Sequence, residues 1–168
     1  MRVILSLIIA FGAFANNSDI VATALQFASR TTYGFGANSV DRMDCSAFVK
    51  RVFSLHGINL PRTSAEQSRV GREVSLSELK PGDLLFFSTY RPGPSHVGIY
   101  IGNGKMVHSS SRGNGVIISD INESYWSSRY LFARRVDGGS QISQSPKAKQ
   151  TQQLNTDEIG DFILIITR

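Results

Sequence analysis

Along the 168 residues the spacing of apolar positions changes character several times. Residues 3 to 14, "VILSLIIAFGAF", form an apolar run without a charge. From Ser18, "SDIVATALQFASR" places Ile20, Ala24 and Phe27 on one face with Val21, Leu25 and Ala28 beside it. This period, behind a serine able to cap the first turn, predicts a helix over 19–29. "TTYGFGANSV" is glycine-punctuated and reads as loop. In "DCSAFVKRVFSLHG" the residues Phe48, Val49, Val52, Phe53 and Leu55 recur at helical spacing, with Asp44 as N-cap and Gly57 as the stop. Cys45 then falls in the first helical turn. "PRTSAEQSR" suggests a short helix led by Thr63 or Ser64, with Gln67 three residues after Ser64 as in a capping box.

Beyond residue 80 the period becomes that of strands. "LKPGDLLFFS" is a Pro-Gly turn into a strand at 84–87 that is apolar on both faces and hence central. "HVGIYIGNGKMVHSSS" reads as a hairpin around Asn103-Gly104, and "GVIISDI" and "YLFARRV" as two further strands. Helices followed by an antiparallel run of strands give an α+β fold. After Val136 the chain turns polar and aperiodic, so 138–168 is expected to be a flexible tail. It ends in "FILIITR", which either adds a strand to a sheet edge, docks on a protein partner, or is a peripheral strand of the same domain.

The opening run follows a single positive charge, Arg2, and precedes Ala13 and Ala15, spaced as at a small-residue cleavage site. It is shorter than the ~20 apolar residues that span a bilayer. Residues 1–15 are therefore expected to be a secretory signal peptide and 16–137 a single domain, exported to the periplasm, cell wall or medium with no stable membrane insertion. Net charge is +5, and loss of Arg2 leaves +4. That modest excess suits an anionic envelope polymer, and no basic block interleaved with aromatics points to nucleic acid.

Charge alone names no chemistry; the cysteine count does more. One cysteine makes no internal disulfide, and a spare thiol in an oxidising compartment is either buried or used. Two of the three histidines lie in the hairpin, where register decides whether they cooperate. A two-residue Asn103-Gly104 turn pairs Ile101 with Met106 and puts His96 and His108 on opposite faces. A three-residue loop at 102–104, with Gly104 left-handed, pairs Ile101 with Lys105 and Gly98 with His108. The histidines then become diagonal neighbours ~7–8 Å apart at the backbone, and Val97, Ile99, Ile101 and Val107 share the other face. This register is favoured because it keeps the apolar set intact. A thiol at a helix start sees the positive end of the macrodipole, which favours thiolate. An imidazole activates it, and a second imidazole orients the first. Cys45, His96 and His108 thus form a candidate Cys-His-His triad. A buried core cysteine and a Cys-His-His zinc site are the alternatives, the latter short of the thiolates and close spacings of structural zinc. His56, beside Gly57, reads as a favourable helix-end charge.

The ordered motifs "DCSAFV", "LPRTSAEQ", "LKPGDLLFF" and "SHVGIYIGNGKMVHSS" together resemble the NlpC/P60 family of bacterial cell-wall cysteine peptidases over roughly residues 19–136. The resemblance implies a papain-like fold, N-terminal helices packed on a central antiparallel sheet, and no metal or organic cofactor. It implies a D,L-endopeptidase that cuts peptidoglycan stem peptides between D-γ-glutamate and the diamino acid. Cys45 would be the nucleophile, His96 the base and His108 its orienter. Tyr33 would serve the oxyanion or substrate, and Asp44, Ser46, Arg62 and Ser95 would lie on the substrate side. Phe35 and Ala47 stand where relatives often carry tryptophan and glycine. An amidase or wall-targeting effector on the same fold, and a non-catalytic wall- or partner-binding module, are the competing readings.

Overall fold

The computed structural model describes residues 17–137 except 29 and 40. The expected leader at 1–15 and the tail at 138–168 with its terminal "FILIITR" lie outside the described residues. Helix α1 (Asn17–Gln26) is followed by short strands β1 (Thr32–Tyr33) and β2 (Arg42–Met43), then helices α2 (Cys45–Ser54) and α3 (Ser64–Gln67). Strands β3 (Arg72–Val74), β4 (Leu84–Phe87), β5 (His96–Gly102), β6 (Lys105–Ser110) and β7 (Gly115–Asp120) come next, then helix α4 (Ser124–Ser127) and strand β8 (Tyr130–Arg135). Strands β3 to β8 form one antiparallel sheet in the order β3-β8-β4-β5-β6-β7, while β1 and β2 pair in parallel as a separate ribbon. The α+β architecture follows, with β4 and β5 central. No helix among the described residues is long and apolar enough to cross a membrane.

Helix α2 buries Phe48, Val49, Val52 and Phe53 against one face of the sheet, where Leu84, Phe86, Val97, Ile99 and Val107 meet α1 residues Ile20 and Ala24. The other face carries a smaller cluster of Leu85, Phe87, Met106, Ala133 and Trp126. Both faces of β4 are therefore covered, which is why "LLFF" is buried throughout. A Schellman ending closes α2: Ile58 N–H bonds the Phe53 carbonyl and Gly57 N–H the Ser54 carbonyl, with Gly57 at φ 75°. Leu55, read as part of the buried face, lies past the last turn and is half exposed.

Two sequence expectations need correction here. Helix α1 stops at Gln26 rather than 29, because Phe27, Ala28 and Arg30 donate to carbonyls three residues back and tighten the chain into turns. In α3 the capping box joins Thr63 with Glu66, not Ser64 with Gln67. The Ser64 hydroxyl instead donates to the Pro94 carbonyl, and the buried Gln67 amide donates to the Ser46 and Pro61 carbonyls. Gln67 thereby ties α3 to the head of α2.

The β5–β6 hairpin departs from the three-residue loop. Gly102 pairs with Lys105 across a two-residue Asn103-Gly104 turn, and both turn residues have positive φ, 52° and 69°. Ile101 is then bulged out, so that Tyr100 faces Met106 and Ile99 faces Val107. The bulge absorbs the residue that would have turned the histidines apart. Beyond it the register is the one that the apolar pattern favoured, and Val97, Ile99 and Val107 share the α2 face, with Ile101 packed at its margin.

Candidate active site

The site assembles where α2 and β5 begin. Asp44 caps α2 in extended conformation and its carboxylate accepts the Ala47 N–H at 2.8 Å, which fixes the next residue, Cys45, at the helix head. The Cys45 side chain is buried, with 7% of the residue exposed. The backbone amides of Val97, the residue after His96, and of Ser46 and Cys45 at the helix start lie close enough to act on the sulfur. Those donors favour thiolate, but burial outweighs them and pushes the thiol up to about 11. The helix-head position thus favours thiolate, as expected for the first turn, while burial opposes it.

His96 heads β5, pairs with Phe87 across the ladder and lines the same cavity as Cys45. Its Nε2 lies 2.9 Å from Nδ1 of His108 on β6, and Nε2 of His108 lies 2.9 Å from the Ser119 hydroxyl on β7. Three adjacent strands thus carry one chain of hydrogen bonds. Because Nε2 of His96 is occupied by His108, Nδ1 is the nitrogen available to a thiol proton. Burial pulls His96 down to about 4 and His108 well below the ordinary imidazole range. The indole of Trp126 packs against both rings, at 5.3 and 4.8 Å between centroids. Gly98 leaves the space that the pair needs, since a Cβ there would sit 2.8 Å from Met106 Sδ and 3.2 Å from His108 Cβ.

The groove has two arms that share Tyr33, Cys45 and Tyr90. One, about 150 Å³, is walled by Thr89, His96, Ser110, Arg112, Tyr125 and Trp126. The other, about 320 Å³, is lined by Phe35, Asp44, Ser46, Arg62, Ser64 and Arg91, and the exposed Phe35 and Tyr90 rings meet edge to face at 5.7 Å. Tyr33 is raised above the ordinary phenol range by burial, with the neighbouring Cys45 adding to it.

The expected substrate-side residues divide. Asp44 and Ser46 line the larger arm, as does Arg62, but the guanidinium of Arg62 is already engaged. It forms an ion pair with Asp44 at 2.7 Å and donates to Ser46 Oγ and to the carbonyls of Gly36 and Ala37. Any stem-peptide carboxylate would have to compete with Asp44 for it. Ser95 is fully buried, and its hydroxyl accepts Thr89 N–H and reaches the Arg91 carbonyl, so it braces the 88–95 loop and lines neither arm. His56 accepts or donates a 2.8 Å hydrogen bond with Thr23, linking the end of α2 to α1. Among the described residues no cluster of three or more His, Cys, Asp or Glu side chains is arranged to hold a metal ion, and the ring nitrogens that join His96 to His108 face each other.

Sequence reasoning missed Ser119, Trp126 and Arg112. Ser119 sits opposite Met106 and diagonal to His108, a placement set by the β6–β7 register. That register depends on how the four residues 111–114 turn, for which no motif was available.

Residues 30–135 match the NlpC/P60 family model. The chain belongs to the NlpC/P60 family. Among curated relatives, the probable endopeptidase NlpC homolog of Haemophilus influenzae is 46% identical over 107 residues, 63% of this chain and 56% of that protein. Murein DD-endopeptidase MepS/Murein LD-carboxypeptidase of Escherichia coli strain K12 is 49% identical over 105 residues, covering 62% and 55%. The NlpC/P60 chain thus spans about half the length of these relatives. The crystal structure of an NlpC/P60 family protein from Bacillus cereus superposes with a TM-score of 0.67 at 35% identity, covering 73% of this chain and 40% of that one. The NlpC/P60 domain of the peptidoglycan hydrolase SagA gives 0.63 at 28% identity, covering 73% of this chain and all of that one.

Proposed function

We propose that this NlpC/P60 protein is an exported cysteine peptidase that hydrolyses peptidoglycan stem peptides, with residues 1–15 as its leader. The observation that carries the reading is the hydrogen-bonded row His96–His108–Ser119, whose first member lines the same cavity as Cys45 at the head of α2. Burial raises the thiol and lowers His96, so it favours the neutral thiol and imidazole over an ion pair in the resting site. A scissile carbonyl entering the groove is attacked as Nδ1 of His96 takes the thiol proton. The imidazolium then holds its Nε2–H toward His108, and helix-head amides and the Tyr33 hydroxyl serve the oxyanion. His96 passes its proton to the departing amine, and water hydrolyses the thioester in a second round.

The bond favoured by the family resemblance joins D-γ-glutamate to the diamino acid. A second reading has a specific observation behind it: a relative 49% identical carries the name murein DD-endopeptidase and LD-carboxypeptidase, which moves the cut to the D-alanine end of the stem. Mass spectrometry of purified muropeptides, monomeric and crosslinked, incubated with the protein and with Cys45→Ala decides between them. Conversion by wild type alone to disaccharide-L-Ala-D-Glu, with release of the fragment that begins with the diamino acid, supports the first bond. Conversion of crosslinked dimers to monomers, or loss of a terminal D-alanine, supports the second. Intact muropeptides with both proteins would overturn the peptidase reading.

A further inference from the structure

The mechanism assigns the two arms of the groove different occupants. An imidazole that takes the thiol proton must return it to the departing amine, so the departing residue lies in the arm that His96 lines. Arg112 stands in that arm. It comes from the turn between β6 and β7, is solvent-exposed, and its guanidinium carbon lies 4.3 Å from the centroid of the Tyr125 ring. The ion pairs among the described residues join Arg62 to Asp44, Arg134 to Glu73 and Arg135 to Asp83, leaving Arg112 without a protein carboxylate. Arg129 overlies the same ring at 4.1 Å but spends an N–H group on the Tyr125 carbonyl and the Ser128 hydroxyl. A guanidinium resting on an aromatic face keeps its N–H edge free, in the planar fork that fits a carboxylate.

We infer that Arg112 is a specificity residue of the leaving-group subsite, reading a free carboxylate on the amino acid whose amine departs. This rests on the proposed peptidase activity and deepens it. Stem peptides offer the group in several forms. Diaminopimelate retains a carboxylate on its second stereocentre, and a terminal D-alanine carries its own, whereas lysine or amidated diaminopimelate lacks the charge of the first. The enzyme accordingly favours acid over amide at this position.

The test pairs L-Ala-γ-D-Glu-diaminopimelate, its stem-side α-carboxyl blocked as the amide, with the same peptide that also carries the second-stereocentre carboxylate as its amide. Wild type is expected to show kcat/KM about tenfold higher on the acid, the size of one charge-assisted hydrogen bond at a partly exposed site. In Arg112→Gln the ratio falls to near 1, chiefly through KM, and Arg112→Lys keeps part of it. An unchanged ratio in Arg112→Gln, including equal slowing on both peptides, overturns the inference and makes Arg112 a wall residue. Calorimetric binding of the two peptides to Cys45→Ala, with and without Arg112→Gln, runs in parallel. If wild type cuts neither peptide, the cut at D-γ-glutamate fails, and this binding difference still decides the subsite: a preference for acid that disappears with Arg112→Gln supports it, equal affinities overturn it.

Discussion

The row of three hydrogen-bonding side chains makes different demands on each member. Ser119 touches neither the sulfur nor a substrate, yet its hydroxyl can accept from Nε2–H of His108, the tautomer whose Nδ1 accepts from His96. Removing it in Ser119→Ala is expected to lower kcat about tenfold, the worth of one hydrogen bond, with little change in KM or thermal stability. Ser119→Thr should restore most of the loss, and an unchanged kcat in the alanine variant would remove Ser119 from the relay. Burial of His96 also moves the acid limit of activity. A base whose conjugate acid forms only near pH 4 still accepts a proton well below 6.5, so kcat/KM should hold through pH 5.5 and fall toward 4. A midpoint at 6.5 would show that His96 is more hydrated than its surroundings imply.

At the scale of elements, the hairpin reconciles an odd residue count with a two-residue turn. Deleting Ile101 removes the bulge and leaves Tyr100 opposite Met106, so the histidine contact should survive at the cost of one half-buried side chain. Gly98→Ala is expected to do the reverse: no change of length, a destabilisation of about 1–3 kcal/mol from overpacking, and a loss of activity through displaced His108. Thermal melts alongside peptide turnover compare the two. These details also mark what the sequence could convey. The helix carrying Cys45, the central strand "LLFF" and the pairing of the histidines were legible because each follows from the local spacing of apolar positions. The loop type was misread, since apolar alternation specifies register but not where the extra residue is stored. Ser119 and Trp126 were invisible because their partners are fixed by strand order and by a four-residue helix, both set by tertiary packing. Ser95 and Arg62 were assigned by position in a motif, whereas their hydrogen bonds depend on how the 88–95 and 36–37 loops fold back.

For the whole molecule, the same buried groups set the pH range of stability. His96 and His108 titrate lower when folded than when unfolded. Their contribution is therefore full above about pH 6.5 and is lost as pH falls toward the folded values, roughly 3 kcal/mol for His96. Cys45 is displaced the other way, so its contribution is full below about pH 9 and is lost as pH rises toward 11. Denaturant midpoints should form a plateau between these limits, and Cys45→Ala should extend the alkaline edge. The Asp83–Arg135 pair, which ties the β4 turn to β8 with Asp83 fully buried, holds the sheet apart from this chemistry. Asp83→Asn should cost about 3–5 kcal/mol by leaving a buried cation without its partner. The buried sulfur has a further consequence in durability. Because burial raises the Cys45 thiol, little of it is thiolate at pH 7, and thiolate is the form that peroxides and alkylating reagents attack. A protein exposed to an oxidising exterior would then keep its sulfur reduced between turnovers, arming it only when a substrate carbonyl arrives. Iodoacetamide should label Cys45 far more slowly than it labels free cysteine.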